Sequence, residues 1–203
     1  MAVVEPTTHA APRRSLYFRA GKRIVDIFAS ISLILLTSPF LIVSIILILI
    51  FDRHNPIFKQ LRIGRDQKHF TLYKLRSMRV SAPNVPSDKA SEAWITKVGA
   101  FLRRTSMDEL PQLWCVLRGD MSMIGYRPGL PAQTELDELR AARGVYVLRP
   151  GMSGLAQVHG YDGMPNEEKA DYDARYVNTL TPGLDMRILF QTFGYFFRKP
   201  PVY

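Results

Sequence analysis

Apolar residues are distributed along this chain in three distinct ways. From residue 27 to residue 51 there are 25 consecutive positions without a charge, bracketed by Asp26 and Asp52. At roughly 1.5 Å per residue, a helix of that length can cross a hydrocarbon core of ~30 Å. Farther on, apolar residues alternate with charged ones in residues 70–78, where Tyr73 and Leu75 share one face and Lys74 and Arg76 the other. That spacing, rich in β-formers, predicts a strand. A shorter extended piece is predicted over residues 56–60. Residues 91–104 carry Trp94, Ile95, Val98, Phe101 and Leu102 at three- and four-residue spacing, which predicts a helix. Short helices are also expected over residues 134–142, ended by Gly144, and from an Asn166 cap to Thr181-Pro182-Gly183. Residues 184–197 read as an amphipathic helix bearing Leu189, Phe193, Phe196 and Phe197. It suits a membrane interface or a core equally well.

The flanks of the apolar run change its meaning. Arg13, Arg14, Arg19, Lys22 and Arg23 precede it, and Arg53, Lys59, Arg62, Arg65 and Lys68 follow it. Positive flanks favour the cytoplasmic side, so neither end is suited to cross. Ser38-Pro39 lies mid-run. Pro39 cannot donate to Leu35, and Ser38 can bond back one turn, so both favour a break or bend. A re-entrant helix that enters and leaves by one face fits both facts; a single kinked span is the alternative.

The chain has 203 residues and a formal net charge of +9, which points to phosphate-bearing partners or an anionic membrane surface. A single cysteine, Cys115, excludes an internal disulfide framework. The four histidines have no zinc-ligand spacing.

The candidate chemistry lies in residues 103–114. Asp108 and Glu109 sit between Arg103-Arg104 and Pro111, a residue suited to the first turn of a helix. An acidic pair at the electropositive end of a helix would stay ionised and could attack phosphorus or hold a divalent metal. The alternative is a capping box of Ser106 with Glu109, which would put Pro111 too deep in the helix. Lys74 and Arg76 could grip a phosphate or merely form a solvated strand face. Glycines and a proline around Arg118, Asp120 and Arg127 suggest a loop that approaches an anion, although the spacing is not that of a Walker loop. A lone His159 is more readily a structural hydrogen-bonder than a catalyst.

Several blocks in order resemble the bacterial sugar transferase family of small monotopic phosphoglycosyl transferases. They are KRIVDIF leading to TSPF, NPIFKQLRIGR, FTLYKLRSM, LRRTSMDELPQLWCVLRGDMSMIGYRP, RPGMSGLAQVHG and DYDARYVNTLTPGLDMRIL. The resemblance implies a mostly helical α+β fold: a tail over 1–15, a re-entrant membrane helix within 16–52 and a catalytic domain over 53–203, with interfacial amphipathic helices. It implies transfer of a sugar 1-phosphate from a nucleotide sugar, UDP-linked, to polyprenyl phosphate, on the cytoplasmic face of a bacterial inner membrane. By the same resemblance Asp108 is the nucleophile, Glu109 the Mg²⁺ ligand, Arg103 and Arg127 phosphate binders, and Lys74 a required cation. Asp173 matches a functional polar position, with Arg118 and Asp120 as further polar candidates. Tyr126, Ala156, His159 and Tyr161 depart from the usual residues of the family.

Two rival functions share these features: a membrane-anchored phosphohydrolase with an aspartyl intermediate, and a basic tethered binding module. No continuous basic stripe with interleaved aromatics is present, so nucleic acid is not an expected partner.

Overall fold

The computed structural model describes residues 16–83, 91–160 and 164–196; the tail over 1–15 lies outside them. Helix α1 (Lys22–Leu47) continues from a π turn at Tyr17–Gly21 into another at Ile48–Asp52. Two strands, β1 (Ile57–Ile63) and β2 (His69–Leu75), form an antiparallel hairpin with Ile57 opposite Leu75 and Ile63 opposite His69. Helix α2 (Lys97–Arg104) and helix α3 (Gln112–Arg118) follow. Strands β3 (Ser122–Ile124) and β4 (Gly151–Ser153) pair in parallel, with α4 (Thr134–Ala142) between them. The described residues end with α5 (Leu155–His159), α6 (Asn166–Thr179) and α7 (Pro182–Phe196). The expected mostly helical α+β composition is observed.

The apolar run is one continuous helix, with Pro39 inside it. The carbonyl of Leu35, which Pro39 cannot reach with a donor, accepts the Ser38 hydroxyl at 3.0 Å instead. The helix runs unbroken through Ser38-Pro39, because the neighbouring serine satisfies the orphaned acceptor.

Both ends of this helix dock on the rest of the chain. At its start Lys22 Nζ meets Asp185 of α7 at 2.7 Å. Asp26 accepts from the Ser122 hydroxyl and the Met123 N–H, and Arg23 donates to the carbonyls of Val116 and Leu117. Near its end Leu41, Ile45 and buried Ile48 pack with Leu75 and Leu102, and the Thr96 hydroxyl donates to Asp52 at 2.9 Å. Between the docked ends Leu35 and Leu36 are each 70% exposed. Lys22–Asp52 is long and apolar enough to cross a membrane, and most of it is unburied.

Helix α2 is shorter than the periodicity predicts. Ile95 forms a bridge with Met78, and the Thr96 side chain accepts from the Gly99 N–H at 2.9 Å, so the helix starts at Lys97. Gly99 lies so close to the strand exit that an added Cβ would sit 1.9 Å from the Ser77 carbonyl oxygen. Helix α6 also lacks its predicted cap. Asn166 stands in the first turn and its side chain donates to Glu135 at 2.7 Å.

Helix α7 has two faces. Ile188 is fully buried, with Leu184 and Leu189 against the same core. Met186, Phe190 and Phe193 are exposed, one turn or so apart, while Phe197 lies outside the described residues. Leu189 therefore belongs to the packed side. The exposed stripe lies elsewhere.

Candidate active site

The acidic pair sits in a sharp turn between two helices. Helix α2 ends on Arg103 and Arg104, and Ser106 then adopts a left-handed conformation with φ 54°. The chain reverses into a single 3₁₀ turn, Met107–Glu109, before Pro111 and helix α3. Pro111 stands immediately before the first residue of that helix, as its missing N–H allows. No capping box forms: the Ser106 side chain makes no capping hydrogen bond, and Glu109 is engaged elsewhere.

Lys74 and Arg127 both reach the same carboxylate oxygen, Glu109 Oε1, at 2.8 and 3.0 Å. Lys74 arrives there because β2 turns Phe70 and Leu72 towards Cys115 and Val116 of α3. Two residues beyond Leu72, Lys74 continues that inward face to the start of α3. The solvated-face alternative for Lys74 is thus excluded. Burial alone would raise the Glu109 carboxyl, but the two cations and their hydrogen bonds outweigh it and hold it far below the usual range.

Asp108 behaves differently. It is 7% exposed. Burial and the neighbouring Glu109 charge raise its carboxyl to about 6, against the opposing pull of Lys74, Arg103 and Arg127. The two carboxyls are therefore not held alike: the charge is secured on Glu109, while Asp108 carries its charge mainly above about pH 6. A helix end of only seven residues, seen through an intervening 3₁₀ turn, does not offset the desolvation of Asp108.

Asp108, Arg103, Lys74 and Arg62 line one cavity of about 110 Å³. Arg62 was not among the sequence candidates. It comes from β1, where its guanidinium donates to Gln60 Oε1 and to the Pro128 carbonyl. Burial and nearby Arg127 lower its pKa to about 10. The only sequence clue was the alternation of Gln60 and Arg62 on one strand face.

The remaining candidates lie away from the cavity. Arg118 and Asp120 pair with each other at 2.6 Å beyond the end of α3 and line no part of it. The loop reaches the pair through Arg127, while Arg118 stands at the far end of the seven-residue helix α3. Asp173 is buried in α6 and receives two bonds from Arg140, at 2.9 and 2.7 Å. Arg140 in turn donates to the Arg127 carbonyl at 2.9 Å. Asp173 thus stands behind a phosphate-binding candidate and does not line the cavity.

Of the departing residues, Tyr126 packs edge-on to Tyr146 with centroids 5.4 Å apart, and the Arg140 guanidinium lies over its ring at 5.1 Å. His159 stacks on Tyr172, and its Nδ1 lies 2.9 Å from the Leu155 carbonyl oxygen, which matches the structural role expected of it. Ala156 is buried, and Tyr161 lies outside the described residues.

The profile of one family, Bacterial sugar transferase, matches residues 17–199. The chain belongs to that family. An exopolysaccharide production protein PSS of Rhizobium leguminosarum is 40% identical over 187 residues, covering 84% of this chain and 92% of its own length. A UDP-galactose-lipid carrier transferase of Erwinia amylovora is 36% identical, covering 90% of this chain and 41% of its own. For a UDP-glucose:undecaprenyl-phosphate glucose-1-phosphate transferase of Escherichia coli the identity is 36%, over 86% of this chain and 39% of the relative. This sugar transferase chain therefore spans about two fifths of the length of some relatives and nearly all of another.

Asp108 and Glu109 are the carboxylates that a Mg²⁺ ion would use. Among the described residues no group of three or more His, Cys, Asp or Glu side chains gathers. Magnesium takes one or two carboxylates and completes its shell with water and substrate phosphate. Glu109 Oε1 is occupied by two cations, so a metal held here would use its other oxygen.

Proposed function

We propose that this chain transfers a sugar 1-phosphate from a UDP-sugar to a polyprenyl phosphate through a covalent intermediate on Asp108. The observation that supports it best is the buried Asp108 carboxyl in a cavity walled by Lys74, Arg62 and Arg103, at the foot of an apolar helix. A nucleoside diphosphate sugar carries its negative charge where those cations converge. The names of the Escherichia coli and Erwinia amylovora relatives point to the same class of donor and acceptor.

In the first step an Asp108 oxygen attacks the sugar-side phosphorus in line with the bridging oxygen. The bond from phosphorus to that oxygen breaks, and UMP departs with the electron pair. Arg103, Arg62 and Lys74 bind the diphosphate and stabilise the charge that moves onto the leaving phosphate. In the second step an oxygen of the polyprenyl phosphate attacks the same phosphorus, and Asp108 leaves as a carboxylate. Polyprenyl-diphosphate-sugar is the product. Mg²⁺ bound beside Glu109 would supply further neutralisation of the diphosphate. Arg127 and Lys74 keep Glu109 ionised for that purpose.

The same reading puts both ends of the apolar helix on the cytoplasmic face of a bacterial inner membrane. Its support is that Lys22 and Ile48 dock on one body of protein, although Lys22–Leu47 alone measures roughly 39 Å at 1.5 Å per residue. Two helix ends docked on one domain favour entry and exit by the same face of the bilayer. The exposed Met186, Phe190 and Phe193 of α7 would rest at the same interface.

Two measurements test this. With a panel of UDP-sugars and polyprenyl phosphate, at least one sugar should give UMP and a lipid-linked diphosphate sugar. Free sugar phosphate as the sole product would identify a hydrolase instead. Cysteines placed at Arg19 and Arg53 in inverted vesicles should both react with an impermeant maleimide; reaction at only one would establish a span.

A further inference from the structure

A second, larger opening lies against the catalytic cavity, an open groove of about 1130 Å³. Arg76, Met78, Arg79 and Val80, on the segment that leaves β2, line both. The groove continues along the end of the apolar helix at Leu47 and Phe51, and along α2 at Val98 and Phe101. Its walls are unusually apolar for open surface: Phe51 is 69% exposed, Val80 57% and Phe101 47%. A contiguous exposed apolar patch of this kind marks a ligand or membrane contact.

The groove is also cationic. Arg76, Arg79 and Lys97 line it with His54, and Asp52, the one acidic residue lining it among the described residues, accepts a hydrogen bond from the Thr96 hydroxyl. Among the described residues neither Arg79 nor Lys97 forms an ion pair. A nucleotide sugar has no use for apolar walls. A plain bilayer contact has no use for a channel that shares a wall with Asp108. One ligand chemistry uses both: a long hydrocarbon chain that ends in a phosphate.

We propose that this groove holds the polyprenyl phosphate acceptor, with its chain along Phe51, Val80 and Phe101 and its phosphate at Arg76 and Arg79. The proposal rests on the transferase reading above and adds the path by which the acceptor reaches Asp108. In a bilayer the chain is already in hydrocarbon, so the apolar walls guide it with little net gain. Selectivity then comes from the cations, which act on a phosphate away from bulk water. The donor occupies the Lys74, Arg62 and Arg103 side of the shared wall, and the acceptor occupies the other.

The two half-reactions separate this from the transferase reading itself. In the full chain in detergent micelles, the burst of UMP from a UDP-sugar reports the first step without any acceptor. Titration with polyprenyl phosphate then reports the second. Lys97→Glu and Phe101→Glu alter exposed side chains that line the groove and not the catalytic cavity. Each is expected to raise the KM for polyprenyl phosphate by roughly tenfold or more, with the UMP burst within about twofold of wild type. An unchanged acceptor KM, or an equal loss in both steps, would overturn the groove. A wild-type chain with no burst for any UDP-sugar would overturn the transferase reading instead. A polyprenyl phosphate carrying a photoreactive group near its head should label α2; exclusive labelling of α7 would also count against the groove.

Discussion

Asp108→Asn is expected to lower sugar-phosphate transfer by on the order of 10⁴-fold and to abolish the phosphosugar adduct that intact-mass measurement detects on the wild-type chain. Full turnover in that variant would rule out the aspartyl intermediate. The substitution should not unfold the protein. Asp108 is buried, and burial is the largest influence that raises its carboxyl to about 6, so an uncharged amide avoids that desolvation. The melting temperature should stay level or rise.

The same shift sets the pH dependence. Attack needs the carboxylate, so kcat/KM of the free enzyme should increase with pH and level off above about 6. Stability runs the other way. The folded-state pKa lies above the ordinary carboxylate value, so this group's contribution is fully present below that value and is lost as pH rises through about 6. Lys74→Met removes a cation that lowers the Asp108 pKa, so the acid limb of the rate profile should move to higher pH. An unmoved limb would mean that a different group controls it.

The second large effect is structural. Arg140 and Asp173 have side chains 4% and 1% exposed. Arg140→Met leaves Asp173 buried without its cation, and breaking such a pair costs roughly 3–5 kcal/mol. Burial already raises the Asp173 carboxyl, so in the variant it should protonate more readily, and the loss in thermal stability should shrink as pH falls. The double variant Arg140→Met with Asp173→Leu removes both charges and should recover most of the stability. Its activity should stay low, because the Arg127 carbonyl still lacks the Arg140 donor that orients the loop. Activity that returns in step with stability would show the pair to be structural only.

That pair illustrates what the sequence could and could not reveal. The Asp108-Glu109 pair, the Lys74 strand and the Arg127 loop stood out as local patterns of charge against a periodic apolar background, while their roles came from the family resemblance. Asp173 was singled out by the family resemblance, as a polar position on a helix with no partner in view. Its partner, Arg140, lies 33 residues earlier on another helix, and no local pattern connects them. Arg62 was missed for the same reason. Its charge looked like one more flanking cation, and only the pairing of β1 with β2 carries it to the cavity of Lys74. The capping box was a local signal that failed, because a left-handed Ser106 and two distant cations compete for the same residues.

Taken alone, the sequence determined the composition of the fold, an apolar run over residues 27–51 long enough to cross a membrane, and an acidic pair set among cations, all of which follow from short-range spacing. The tertiary structure decided three further points. It joined Lys74 and Arg127 on one oxygen of Glu109, and so divided the acidic pair into a fixed charge and a carboxyl near neutrality. It docked both ends of the apolar helix on one body. It set an apolar, basic groove against the cavity that Asp108 lines. Each depends on desolvation and on charges brought together from distant parts of the chain, and a pKa or a shared wall exists only after those parts have packed.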